Sequence, residues 1–117
     1  AKAQLDVSEA EALVRSARAY LAETVGAGWE AASRDGAITV DHRRDIRLAT
    51  THAVRAAARA VDLMYTLGGG SSVYRGSALQ RHFRDVHVAT QHMMVSEATY
   101  ELTGRLFLGV PTNTAML

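Results

Sequence analysis

"LGGGSSVYRGSALQRHFRDVHVATQH", residues 67 to 92, contains the signals that decide how this chain folds. Its glycine–serine run, Gly68 to Ser72, is a strong helix breaker. A helix follows from about Ser77, because apolar or small side chains recur there at helical spacing. They are Leu79, Phe83, Val86 and Thr90. The polar pair Gln91-His92 interrupts this spacing, and a new apolar line starts at Met94 in a different phase, so we expect the helix to break or bend between Thr90 and Met93.

Three other segments also have helical periodicity. They are residues 8 to 33, 41 to 67 and 94 to 108. Ser8-x-x-Glu11 fits a capping box at the start of the first segment, and Asp41 can cap the second. No segment combines strand-like alternation with β-branched residues. We therefore predict an all-α chain, residues 1–117, forming a single domain of four helices packed as an up-and-down four-helix bundle.

The second helix has two different faces. One is a stripe of small residues, mostly alanine, that lets a neighbouring helix come close. The other carries a row of arginines, which we interpret as a solvated face or as a source of inter-subunit ion pairs. These are Arg43, Arg44, Arg47, Arg55 and Arg59. Elsewhere, Tyr20 and Trp29 are expected in the core. Arg84-Asp85 is expected to form a local ion pair, or Arg84 to reach a neighbouring element.

Composition excludes several classes of function. The net charge of +1, from 13 basic and 12 acidic residues, does not favour binding to nucleic acid or to an anionic membrane. The absence of cysteine excludes disulfides, thiolate zinc sites and a cysteine nucleophile. No apolar run approaches 18 residues and no signal peptide is recognisable, so we expect a soluble, cytoplasmic protein. The start at Ala-Lys-Ala-Gln suggests a processed chain or a piece of a longer one.

Histidines are the first candidates for chemistry. His82, His87 and His92 are spaced by five residues, which turns each about 140° from the last on a helix, so they cannot share a face. Metal-binding pairs on helices prefer steps of three or four, so no metal site is expected. His92 differs from the other two because it lies at the predicted break. It could project into a cleft as a proton donor or general base, or it could be an ordinary polar neighbour of the core.

The glycine loop has two interpretations. Its backbone amides could approach a phosphate closely, because glycine removes the Cβ barrier. Alternatively, the loop is a flexible connector between helices. The glycines do not form G-x-G-x-x-G and no P-loop lysine follows, so the loop on its own favours the connector.

The opening stretch, followed by "ELTGRLFLGVP" at residues 101 to 111, resembles the C-terminal helical domain of the acyl-CoA dehydrogenase superfamily. It is most similar to that superfamily's branch of flavin-dependent monooxygenases, and the resemblance covers essentially the whole chain. It implies that full-length members also have an N-terminal helical domain and a middle β-domain, both absent from this sequence. It also implies a flavin, FAD or FMN, lying between the β-domain and this one, and a homotetramer built on these bundles. The family's first helix begins upstream, which would make the Ser8 capping pattern incidental.

The resemblance assigns roles to particular residues. It implies that Gly68, Gly69 and Gly70, with the adjacent Ser71, reach the flavin of a neighbouring subunit. Dehydrogenases have a glutamine three positions before this loop, where this chain has Tyr65. Their catalytic glutamate falls at Met93, which cannot abstract a proton. In the monooxygenase branch a histidine at the position of His92 lies near the flavin and the substrate, which implies a catalytic role for His92.

The function implied is that of a domain that completes the flavin site of a two-component monooxygenase. Such enzymes take reduced flavin from a separate reductase, use O₂ and hydroxylate a small organic substrate. One alternative is an acyl-CoA dehydrogenase domain whose base comes from elsewhere in the fold. The other is a stand-alone helical oligomerisation module, which the length of the open reading frame would test. We expect the 117-residue chain alone to self-associate and to be inactive.

Overall fold

The computed structural model describes residues 1–74 and 76–117. The helices of this part of the chain are α1 (Lys2–Asp35), α2 (Val40–Leu67), α3 (Ala78–Ala89) and α4 (Ala98–Phe107). Short 3₁₀ helices, Gly69–Val73 and Met93–Val95, precede α3 and α4. The predicted all-α fold with four helices is confirmed.

α1 and α2 form a long antiparallel hairpin. Gly36 ends α1 in the left-handed conformation at φ 75°, and its amide donates to the carbonyl of Ala32 at 2.8 Å. Further along the hairpin, a Cβ added to Gly28 would stand 2.8 Å from Cδ1 of Ile46. Glycine at position 28 therefore leaves room for the end of the Ile46 side chain between α1 and α2.

α2 is the central element, because α1, α3, α4 and both 3₁₀ helices pack against it. The buried apolar residues are mostly alanine, so the helices approach closely and stabilisation is spread over many small contacts. They are Ala10, Ala17, Ala31, Ala49, Ala56, Ala58, Ala60, Leu63 and Val95. The fold is elongated, measuring 51 × 26 × 24 Å. In the described residues, none of the helices has an apolar stretch long enough to cross a membrane.

Both predicted helix caps were wrong. α1 begins at Lys2, so Ser8 lies inside the helix with its backbone already in the helical ladder, and the capping pattern is incidental. α2 begins one residue before Asp41, and its cap is Thr39, whose side-chain oxygen accepts from the amide of His42 at 3.3 Å. Asp41 instead lies in the first turn, where its charge favours the helix N-terminus.

Two predictions about buried faces also need correction. Trp29 is 76% exposed, because it lies off the face of α1 on which Gly28 and Ala31 are buried. Tyr20 is half-buried. On α4 the buried residues are Thr99 and Thr103, and Ala98 is exposed.

Candidate functional site

His92 lies at the break between α3 and α4, as the sequence predicted. α3 ends at Ala89, and the chain re-enters helical geometry only in the 3₁₀ helix Met93–Val95. His92 itself is extended (φ −69°, ψ 133°) and caps that 3₁₀ helix. Its ring is exposed, and Nδ1 accepts a hydrogen bond from the amide of Met94 at 3.1 Å.

This hydrogen bond fixes the proton arrangement of the His92 ring. A backbone N–H can only donate, so Nδ1 must accept and carries no proton. The proton of the neutral ring is therefore on Nε2, which is the atom free to meet a ligand. In this geometry Nε2 donates a hydrogen bond. To give up its proton as an acid, the ring would first have to gain a proton on Nδ1, which would break the bond to Met94. For Nε2 to act as a base, the ring would have to move its proton to Nδ1 and lose the bond to Met94.

The loop that carries His92 is held by its backbone carbonyls. The carbonyl of Met94 accepts from Nε of Arg47 at 2.7 Å and from the hydroxyl of Thr99 at 3.4 Å. The next carbonyl, of Val95, accepts from Nη2 of Arg55 at 3.4 Å. Two arginines of α2 thus anchor the loop, which corrects the interpretation of their row as a solvated face.

The same row of arginines binds the C-terminal tail, residues 110–117. Nη2 of Arg43 donates to the carbonyls of Thr114 and Leu117 at 3.1 and 3.2 Å. Arg47 also donates from Nη1 to the carbonyl of Met116. An open groove of about 450 Å³ lies between the tail and α4, with Met93 and Arg47 in its lining. The tail therefore forms one wall of the surface next to the His92 loop.

The remaining two arginines of the row make ion pairs. Arg44 pairs with Asp45 at 2.9 Å and stacks over Phe107 at 4.2 Å, and its hydrogen bond with Asp45 raises the pKa of Arg44. Arg59 pairs with Glu9 of α1 at 3.2 Å. Arg44 therefore pairs within α2, and Arg59 joins α2 to α1.

The four loop residues assigned to a cofactor have different local roles. A Cβ on Gly68 would stand 2.1 Å from Oγ of Ser72, so glycine is needed there for packing. Gly69 has φ +61°, which favours glycine for conformational reasons. Gly70 is exposed, with no atom within 4 Å of its Cβ position. The hydroxyl of Ser71 donates to the carbonyl of Gly68 at 2.9 Å.

His92 and the glycine loop do not meet in this chain. Thr51, whose hydroxyl is 3.5 Å from the carbonyl of Met94, marks the level of the His92 loop on α2. Gly68 caps the far end of the same helix. At about 1.5 Å of rise per residue, the two levels are about 25 Å apart along the axis. One copy of the chain therefore presents two separate candidate surfaces.

A histidine–carboxylate pair was not predicted from the sequence. Nε2 of His87 lies 2.6 Å from Oδ1 of Asp62, and both side chains are 40% exposed. Phe83 stacks between the rings of His87 and Tyr65, at centroid distances of 4.4 and 4.3 Å. This pair joins α3 to α2, and only the register of the two helices, which periodicity does not give, brings its members together.

Two other predictions concern charged or metal-binding groups. Arg84 and Asp85 are both exposed, and no ion pair joins them within residues 1–74 and 76–117. In the same part of the chain, no three histidine or acidic side chains cluster as a metal site would require. His82 is exposed on α3 and lines a groove against α1.

Comparison with known proteins places this geometry in a family. Residues 1–97 match the family described as acyl-CoA dehydrogenase, C-terminal domain. The chain is similar to the indole-3-acetate monooxygenase of Pseudomonas putida, with 38% identity over 107 residues. It is also similar, at 28% identity over 107 residues, to the indole-3-acetate monooxygenase of Acinetobacter baumannii. Each alignment covers 92% of this chain and 28% of the relative, so the chain spans little more than a quarter of these proteins.

The fold has a close structural counterpart. The crystal structure of the 3-HSA hydroxylase from Rhodococcus sp. RHA1 superposes with a TM-score of 0.90 at 24% sequence identity. The match covers 99% of this chain and 30% of that one. It therefore extends the fold likeness through α4 and the tail, beyond the end of the family match at residue 97. With the family match covering most of its length, this chain belongs to the acyl-CoA dehydrogenase C-terminal domain family.

Proposed function

We propose that this chain is the C-terminal domain of a flavin-dependent monooxygenase that hydroxylates a small aromatic acid. The observation that carries the proposal is the 38% identity to an indole-3-acetate monooxygenase over 107 residues, a span that includes most of the fold. A second protein of the same name is similar over the same length. The enzyme would be cytoplasmic and would receive its reduced flavin from a separate reductase.

We assign His92 the catalytic role in this domain. Its Nε2–H points away from the Met94 bond and is exposed, so it can donate to a substrate oxygen or to a reacting oxygen atom. The neighbouring Met93 is 60% exposed and has no titratable group. A dehydrogenase base at that position is therefore missing, which favours oxygen chemistry over proton abstraction from a thioester.

We assign Gly68, Gly69, Gly70 and Ser71 to the flavin, FAD or FMN. The exposed backbone at Gly69 and Gly70 fits close approach by a phosphate or ribose, because open space stands where a side chain would be. The missing side chain at Gly68 leaves room for Ser72, and the hydroxyl of Ser71 bonds within the loop, so these two residues would contribute to the flavin site through their backbone. The bound flavin supplies the two electrons that reduce one oxygen atom of O₂ to water while the other enters the product.

The separation of the two surfaces supports self-association. His92 and the loop are about 25 Å apart along α2, which favours their contribution to one flavin site by different copies. We therefore propose a homo-oligomer, a tetramer, in which the loop of one copy completes the site of another. Light scattering on the polypeptide that carries this domain should give the tetramer mass, whereas a strict monomer at high concentration would contradict it.

The reaction type can be tested with isotopic oxygen. The polypeptide that carries this domain is mixed with a flavin reductase, NADH, FAD or FMN, ¹⁸O₂ and indole-3-acetate as the probe. We expect a product heavier by one ¹⁸O atom and dependent on both flavin and reductase. Consumption of NADH that yields only hydrogen peroxide with indole-3-acetate and a panel of related aromatic acids would contradict the proposal.

A dehydrogenase is the second candidate, favoured by the family description itself. It would require a catalytic base outside position 93. Under anaerobic conditions, an acyl-CoA thioester would then bleach the flavin of the polypeptide without any reductase. Bleaching under these conditions would favour the dehydrogenase, and its absence together with ¹⁸O incorporation would favour the monooxygenase.

A further inference from the structure

We propose that Arg47 is a positioning residue for His92 and acts through the backbone of Met94. The catalytic meaning of this inference rests on the proposed function, but the structural coupling does not. Arg47 lies on α2, 45 positions before His92 in the sequence, and it touches the loop through a single carbonyl group.

The two relevant hydrogen bonds share one residue. Nε of Arg47 donates to the carbonyl of Met94 at 2.7 Å, and the amide of Met94 donates to Nδ1 of His92 at 3.1 Å. The first bond is charge-assisted, the stronger kind. Holding the carbonyl therefore restricts the rotation of the residue whose amide fixes the imidazole ring and its tautomer.

The protein side of this anchor is dry. Thr51 and Thr99, which both approach the carbonyl of Met94, are 0% exposed. Nε of Arg47 also lies 3.3 Å from the hydroxyl of Thr99. The outer side of this carbonyl is exposed to water, but water cannot reproduce a charge-assisted bond from a side chain held by α2, so losing Arg47 loosens the loop.

Arg43 provides a matched control. Arg43 lies one helical turn before Arg47 and, like Arg47, donates to carbonyls of the tail. Its hydrogen bonds go to Thr114 and Leu117 and not to the loop. Arg43→Ala thus removes the same charge and weakens the same tail. A role of Arg47 in fastening the tail alone would make the two alanine variants behave alike.

The test is nitrogen-15 NMR on the protein, comparing wild type, Arg47→Ala, Arg47→Lys and Arg43→Ala. Two readouts are specific for the loop: the exchange rate of the Met94 amide, and the ring nitrogen shifts of His92, which report the tautomer. We expect Arg47→Ala to raise the exchange rate about tenfold and to shift the ring toward a mixture of tautomers. In Arg43→Ala the exchange rate of the Met94 amide should stay within about twofold of the wild-type rate.

Arg47→Lys keeps the charge and most of the side-chain stem, but its ammonium lacks the guanidinium fork that reaches Met94 and Met116 together. Arg47→Lys should show smaller changes in the exchange rate of the Met94 amide and in the ring nitrogen shifts of His92. If Arg47→Ala does not fold, Arg47→Lys tests the proposal in its place. Wild-type exchange and ring shifts in Arg47→Lys, or equal effects of Arg47→Ala and Arg43→Ala, would overturn the proposal. Neither readout needs turnover, so a failure of the proposed monooxygenase activity would be seen separately in the ¹⁸O₂ assay.

Discussion

Replacing Gly68 by alanine should destabilise the protein even though its backbone is compatible with any residue. Gly68 has φ −67° and ψ −14°, where alanine is unstrained. However, the new methyl group would stand 2.1 Å from Oγ of Ser72 and 2.9 Å from Cδ1 of Leu79. Overpacking of this kind typically costs about 1–3 kcal/mol. We expect a loss of that size in the free energy of unfolding, measured by urea denaturation followed by circular dichroism.

The clash with Ser72 can be isolated by a double-mutant cycle. Ser72 is 0% exposed, and its hydroxyl has no hydrogen-bond partner within the described residues. Ser72→Ala alone should therefore be neutral or stabilising by up to about 1 kcal/mol. In the double variant the 2.1 Å contact is gone and the shortest remaining contact is the one with Leu79, so the two substitutions should couple favourably by about 1 kcal/mol.

Gly70→Ala is the matched control, because its Cβ position is open and its φ is not positive. It should change the free energy of unfolding by less than about 0.5 kcal/mol. If Gly68→Ala were as stable as Gly70→Ala, or if the double variant were simply additive, the packing argument for Gly68 would be refuted.

Three further predictions concern stability. Burial first, and then the charge of Asp45, raises the pKa of Tyr20 above 10.0, so the folded state holds the phenol proton more tightly than the unfolded chain. The protonated phenol's contribution to the stability of the folded state is present below pH 10 and is lost as the pH rises through the pKa of folded Tyr20. Tyr20→Phe should therefore flatten the fall in Tm at alkaline pH. Thr39→Ala should cost about 1 kcal/mol in urea denaturation by removing the cap of α2, whereas Ser8→Ala should be neutral or slightly stabilising. Trp29→Ala should cost less than about 0.5 kcal/mol by the same assay, against about 3–5 kcal/mol for a buried tryptophan.

Periodicity predicted the helices because each has one apolar or small-residue line, and it predicted the break at His92 because two such lines differ in phase. Caps were less predictable. Ser8-x-x-Glu11 satisfies the capping pattern, but the helix continues on its N-terminal side and never needs a cap there. A short pattern cannot report whether the chain upstream of it is already helical.

The arginine row shows what periodicity cannot reach. Its position off the small-residue stripe of α2 correctly indicates a separate face, but not what covers that face. Arg47 finds its acceptors 47 and 69 residues away, on the carbonyls of Met94 and Met116. Backbone carbonyls carry no sequence signature, so these contacts depend on where the later helix and the tail lie in space.

The glycine loop shows a related limit. Its sequence predicted a helix break, and the break is present after Leu67. Its three glycines look equivalent in sequence, yet Gly68 is set by packing and Gly69 by its positive φ, while Gly70 is exposed with open space at its Cβ position. Only the surroundings of each Cβ position distinguish these roles.

The most direct test of the central claim compares wild type with His92→Asn in the ¹⁸O₂ assay with reductase, NADH and indole-3-acetate. The oxygen of asparagine can replace Nδ1 as the acceptor for the amide of Met94, so the loop should keep its fold while the hydrogen-bond donor Nε2–H is lost. We expect His92→Asn to form labelled product about 100-fold more slowly than wild type, with little change in Tm. A His92→Asn protein that forms labelled product at the wild-type rate would contradict it.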